Sequence, residues 1–133
     1  MPKQLLQDIK KVELLAIQII DATAEGSAID TKLSEGFSFD TALVNVEIGD
    51  VTGTPDSVKV KIEEDDDSAF GSASVAEGGE EITVAADTSY KMEIQRAKRY
   101  LRAVVTITGG TTPTVEVYIG AILWNVAKPF PIL

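Results

Sequence analysis

The groups in this sequence that could do chemistry are almost all carboxylates, because histidine and cysteine are both absent. That removes thiolate nucleophiles, Cys/His zinc sites, disulfides and every histidine-dependent triad in one step. The densest acidic feature is EEDDD at positions 63–67. A calcium loop spaces its oxygens at alternate positions around a glycine turn, whereas contiguous carboxylates at a strand end point to opposite sides. The run is therefore expected to be a solvated bend that ends a strand, and no metal is expected there. Glycoside hydrolysis needs only two carboxylates about 5 to 10 Å apart, and with 21 acidic residues such pairs arise by accident. One Trp and three Tyr offer little to line a sugar platform. No S-x-x-K occurs, and Gly78-Gly79 and Gly109-Gly110 have the spacing of turns, not of phosphate cradles. No enzyme activity and no cofactor are expected.

Two other groupings bear on binding. Lys91, Arg96, Lys98, Arg99 and Arg102 place five cations within twelve residues of a chain whose net charge is -9. They either pair with nearby acids or form a patch for an acidic neighbour, for which the planar arginine fork is well suited. The second grouping is apolar and terminal: Leu5, Leu6 and Ile9 at one end, and Trp124 followed by Phe130, Pro131, Ile132 and Leu133 at the other. Such segments are costly to leave in water, so they pack on their own core or dock on a neighbour. Arg96, Arg99, Arg102 and these terminal residues are the expected interface. The acidic balance repels phosphate backbones and anionic lipid, so neither nucleic acid nor membrane is an expected partner.

The elements that must position these residues follow from the pattern of apolar residues. A chain of 133 residues, 44% hydrophobic and 25% charged, suits one folded domain. Residues 1–14 read as a short helix or extended arm, 15–125 as a β-sandwich and 126–133 as a C-terminal tail. Lysines 3, 10 and 11 precede an apolar stretch too short for a signal peptide, and no run is long enough for a membrane-spanning helix, so synthesis in the cytosol is expected. Leu15, Ile17 and Ile19 alternate as a strand. Positions 37–48 are dense in β-formers and read as a strand buried on much of both faces, followed by a loop at 49–56. Val58, Val60 and Ile62 alternate with Lys59, Lys61 and Glu63, the clearest half-wet strand. Short strands follow at 81–85 and at Tyr90, Met92 and Ile94. Leu101 to Ile107 and Val115 to Leu123 look like a hairpin closed by GGTTPT. About eight strands with regular turn signals predict an all-β, antiparallel, jelly-roll-like sandwich.

The segment SVKVKIEEDDD running into SAF, then YKMEIQRAKRYLRAVVTITGG answered by TPTVEVYIGAILW, resembles the capsid cement or decoration proteins of tailed phages that have a jelly-roll fold. The resemblance covers roughly residues 40–124. It rests on the acidic strand-to-loop passage at 59–67, the arginine, aromatic, leucine, arginine strand from Arg99 to Arg102, and the threonine/glycine-rich turn at 106–114. The C-terminal KPFPIL has no counterpart in that pattern. Membership would imply a virion protein made in the host cytoplasm, bound to the major capsid protein on the outside of the head. It would also imply a homo-oligomer, with a trimer favoured. Other readings are a head–tail connector or tail component, and a carbohydrate-binding adhesive module with an exposed aromatic platform.

Overall fold

The computed structural model describes residues 10–34 and 37–124. Leu5, Leu6, Ile9, Phe130, Pro131, Ile132 and Leu133, and with them the tail at 126–133, lie outside the described residues. Six long strands carry the fold: β1 (Lys10–Ile20), β6 (Thr41–Thr52), β7 (Ser57–Asp65), β10 (Thr88–Gln95), β11 (Tyr100–Thr108) and β12 (Thr114–Trp124). Between them run the short pieces β2 (Ala24–Glu25), β3 (Ile29–Asp30), β4 (Lys32–Ser34), β5 (Phe37–Ser38), β8 (Ser74–Val75) and β9 (Ile82–Thr83).

Two antiparallel sheets form the sandwich. The four-stranded sheet has the order β1-β12-β6-β10. The six-stranded sheet is centred on the pair β11 and β7, with β2 and β3 beside β11 and β8 and β9 beside β7. A small ribbon of β4 and β5 stands apart. Period-two alternation builds the core, since successive side chains on a strand point to opposite faces. The four-stranded sheet contributes Ala42, Val44, Val46 and Ile48, Met92 and Ile94, and Val115, Val117, Ile119, Ala121 and Leu123. The six-stranded sheet answers with Val58, Val60 and Ile62, and with Leu101, Ala103 and Val105. Burying a Val, Leu or Ile side chain contributes about 1.5–3 kcal/mol, so this interleaved layer is the main source of stability.

Several expectations need correction. The 101–107 and 115–123 segments do not pair as a hairpin: β11 pairs with β7, and β12 with β1 and β6. The connection at 109–113 carries the chain from one sheet to the other, a gap of about 10 Å that is too wide for a two-residue turn. Positive φ at Gly109, Gly110 and Thr112 bends it, and the Thr111 N–H donates to the Gly53 carbonyl at 2.8 Å. Gly53 lies in the neighbouring connection at 53–56, which crosses the other way from β6 to β7, so the two crossings brace each other.

Strand β6 runs on to Thr52; beyond Thr41, which is buried at its start, only the Ala42, Val44, Val46, Ile48 set is buried, while Leu43, Asn45 and Glu47 look outward. At the N-terminal side, β1 already begins at Lys10, and its apolar residues divide unexpectedly. Leu14, Leu15 and Ile20 are buried, while Ile17 and Ile19 are 73% and 69% exposed. Two register shifts against β12, between Glu13 and Leu15 and between Leu15 and Gln18, cause this. One extra residue in a strand moves every later side chain to the opposite face.

Candidate protein-binding surface

The sandwich has two outer faces, and they differ in kind. On the six-stranded sheet the pairing of β7 with β11 sets Glu63 opposite Arg102, Glu64 opposite Leu101 and Asp65 opposite Tyr100. The acidic run therefore enters the strand, and Glu63, Glu64 and Asp65 are buried, contrary to the expected solvated bend. Cations and backbone amides on the adjoining elements make this burial tolerable. Arg102 donates from Nε and Nη2 to Glu63 Oε1 at 2.9 and 2.8 Å, and its Nη1 lies 3.4 Å from Glu25. Its guanidinium also sits 4.4 Å from the centre of the Phe70 ring. Lys61 Nζ approaches the other Glu63 oxygen at 3.1 Å. Burial alone would raise the Glu63 pKa, but the hydrogen bonds and charges of Arg102 and Lys61 outweigh it and hold the carboxyl below its ordinary value.

The other acids are engaged in the same way. Glu64 Oε1 accepts the N–H groups of Ala97 and Lys98, at 2.8 and 3.2 Å, and so ties down the crossing from β10 to β11. Asp65 accepts from Ser72 and Asp67, and the backbone donors, Ser72 foremost, lower its pKa. Asp66 accepts the Arg99 N–H. The Arg99 side chain in turn forms a two-point pair with Asp30, at 2.9 and 2.8 Å, which holds Asp30 down to about 2 and raises Arg99. Arg96 donates from Nε to the Phe39 carbonyl and from Nη1 to that of Lys98. All three arginines expected at an interface are thus hydrogen-bonded within the chain. Among the described residues, no three acidic side chains converge in a way that could hold a metal ion.

The outer face of the four-stranded sheet is different. Its rows can be read from the strand pairings. One row is Lys11, Ile122, Leu43 and Glu93; the next is Glu13, Gly120, Asn45 and Lys91. Tyr118, Glu47 and Ser89 make a third, and Ile19 stands opposite Glu116. Ile17 and Ile19 are largely exposed and Ile122 is 43% exposed. A shallow cleft of about 290 Å³ crosses the sheet between Lys11 and Lys91. Its floor is Gly120, where a Cβ would come within 2.6 Å of the Tyr118 hydroxyl, so the tyrosine ring lies over the glycine. Lys91 Nζ donates to Asn45 at 3.3 Å, and Asn45 donates to Glu47 at 2.6 Å, which orders the polar side of the cleft.

Trp124 is half-buried at the end of β12, opposite Thr41. Tyr100 and Tyr118 lie on different sheets, and Trp124 is six residues along β12 from Tyr118, about 20 Å at strand rise. These aromatics do not share one platform. Sequence reasoning missed the outer-face group, because Ile17 and Ile19 alternate with Leu15 as though all three were core. A signal for Ile122 was present: it breaks the inward set Val117, Ile119, Ala121, Leu123 by falling on the even positions with Glu116 and Tyr118.

No family model and no curated protein matches the chain. Among solved structures, the SPBc2 prophage-derived protein YomS is similar with a TM-score of 0.48 and 13% identity, over 87% of this chain and 92% of that one. PirA is similar with a TM-score of 0.43 and 16% identity, over 89% of this chain and 94% of that one.

Proposed function

We infer that this chain is a structural virion protein, a decoration or cement protein that binds the outer surface of a phage head as a homo-oligomer and catalyses nothing. The observation that carries the reading is the contrast between the two outer faces. Charge on the six-stranded sheet is matched within the chain. The four-stranded sheet presents Ile17, Ile19 and Ile122 to solvent around a shallow cleft, where the six-stranded sheet exposes Val75. Exposed apolar groups rimmed by charge favour burial against another protein, where water is excluded. The resemblance of residues 40–124 to decoration proteins supplies the identity of the assembly. On a capsid, many modest contacts repeated over the lattice give firm attachment without any single strong site.

The test uses heads assembled from the major capsid protein encoded in the same genome. Saturating protein is added, the heads are sedimented and then heated. The reading predicts occupancy at a fixed ratio to capsid protein and a higher temperature of shell disruption. Unchanged occupancy and unchanged thermal resistance refute it.

A further inference from the structure

We propose that the partner on the outer face of the four-stranded sheet is a second copy of this chain, laid face to face about a two-fold axis that runs parallel to the strands between β12 and β6. The proposal rests on the functional reading only in taking this face as a binding surface. It names the occupant.

The face is complementary to itself. In a two-fold interface, if residue i meets residue j then j meets i, so a surface can pair with itself only if its features are mirrored across the axis. Rotation about an axis along the strands exchanges the β1 edge with the β10 edge and leaves the rows in place. The row Lys11, Ile122, Leu43, Glu93 then sets Ile122 on Leu43 of the other copy and Lys11 against Glu93. The row below it sets Glu13 against Lys91. Each contact occurs twice. All four corner side chains are exposed and long enough to accommodate the twist between aligned sheets, about 30°.

The alternative two-fold axis, across the strands, fails the same examination. Centred on the sheet it would lay Ile122 on Glu116, Asn45 on Glu47 and Lys11 on Ile19, placing charge on apolar groups and losing every ion pair; moved to the row of Val12 and Met92 it would set Lys11 on Glu13 and Glu93 on Lys91, but lay Ile122 on Gly120 and Leu43 on Asn45 and, being near the strand ends, overlap less of the face. Only the axis along the strands keeps the four ion pairs together with the Ile122–Leu43 contacts and the whole face, and the Lys91→Glu, Glu13→Lys double variant separates the two arrangements, since across the strands it would leave both contacts repulsive.

Size sets the strength. Four strands about 4.8 Å apart, with about eight residues each at about 3.3 Å, give a face of roughly 19 by 26 Å, or roughly 500 Å² per copy. That is roughly 1,000 Å² in total, at the low end for specific association, so a dissociation constant of about 10–100 μM is expected. A net charge of -9 on each copy opposes contact elsewhere, whereas the four corner charges balance.

The test is sedimentation equilibrium of the free full-length protein from about 5 to 500 μM at physiological salt, with far-UV circular dichroism to verify folding of each variant. The mass should rise from 14.2 kDa to twice that value over this range. Lys91→Glu and Glu13→Lys should each weaken association at least about tenfold, because each turns two attractions into two repulsions. The double variant restores opposite charges at both contacts and should return to within about threefold of wild type. A monomer throughout, a trimer, or self-association indifferent to these reversals overturns the proposal. Head binding is scored separately, so a wild-type protein that stays monomeric yet occupies heads refutes this geometry and leaves the functional reading standing.

Discussion

Replacing Arg102 with Met tests the account of the six-stranded face most sharply. Met keeps an apolar stem of similar length over Phe70 and removes the guanidinium that meets Glu63 at 2.8 Å. The two side chains are only 16% and 12% exposed, so Glu63 would be left in a largely water-free place. Breaking a buried pair by removing one partner costs about 3–5 kcal/mol. Here Lys61 remains at 3.1 Å, which lowers the expectation to about 2–3 kcal/mol. For 133 residues the unfolding entropy near the midpoint is about 0.28 kcal/mol/K, so the predicted loss in Tm is about 7–11 °C.

Urea unfolding with calorimetry measures both quantities, and two controls separate charge from packing. Adding Glu63→Leu to the Arg102→Met variant removes the stranded carboxylate, so the double variant should lie within about 1 kcal/mol of wild type. The deficit should also depend on pH. Without Arg102, only Lys61 opposes the effect of burial on the Glu63 carboxyl, so the variant forfeits stability that wild type gains as this group ionises and keeps parity where it is protonated. The Arg102→Met deficit should therefore be small near pH 4 and complete above about pH 6. A single variant as stable as wild type, or a double variant less stable than the single, would refute the reasoning.

Four further outcomes rest on particular residues. Gly26→Ala should cost at least about 2 kcal/mol in urea unfolding, because its Cβ would stand 1.9 Å from the Leu14 carbonyl oxygen, which the Ser27 N–H already holds. Ile119→Ala, in the middle of the core and fully buried, should cost about 2–5 kcal/mol by the same measurement. The wild-type Tm should fall as pH drops from about 4.5 towards 2, since Asp30, Glu63 and Asp65 all have folded pKa values below their unfolded ones and their contribution is lost on protonation. Asp30 moves from 3.8 to about 2, at most about 2.4 kcal/mol, but with its side chain 40% exposed, solvent screening reduces this to about 1 kcal/mol or less. Asp30→Asn should flatten the acid limb by no more than that.

Strands whose inner face is uniformly apolar were legible in the sequence. Val58, Val60 and Ile62, then Tyr90, Met92 and Ile94, and the odd-numbered set from Val115 to Leu123 all alternate as expected. Which sheet each strand joins was not legible, because β11 and β12 have the same pattern whether they pair side by side or face each other across the core. Only the reach of the 109–113 connection distinguishes these, and a Gly-Gly pair serves either purpose. The bulges in β1 were equally hidden, since Leu14-Leu15 reads as a simple doubling until the register is known. The acidic run was misjudged for an electrostatic reason. Adjacent carboxylates repel in isolation, but Arg102, Lys61 and the backbone amides of residues 97, 98 and 72 reverse that balance, and those partners are 2 to 39 positions away in sequence. The basic cluster read equally as paired at home or docked on a neighbour; within the chain Arg99 and Arg102 meet acids, Arg96 donates to backbone carbonyls and Lys91 to Asn45.

An electron cryomicroscopy map of heads incubated with saturating protein tests the central claim most directly. The account predicts sandwich-shaped density on the outer surface of the shell, with the Ile17, Ile19 and Ile122 face covered by protein. Bare heads, or bound sandwiches whose four-stranded outer face is open to solvent, would contradict it.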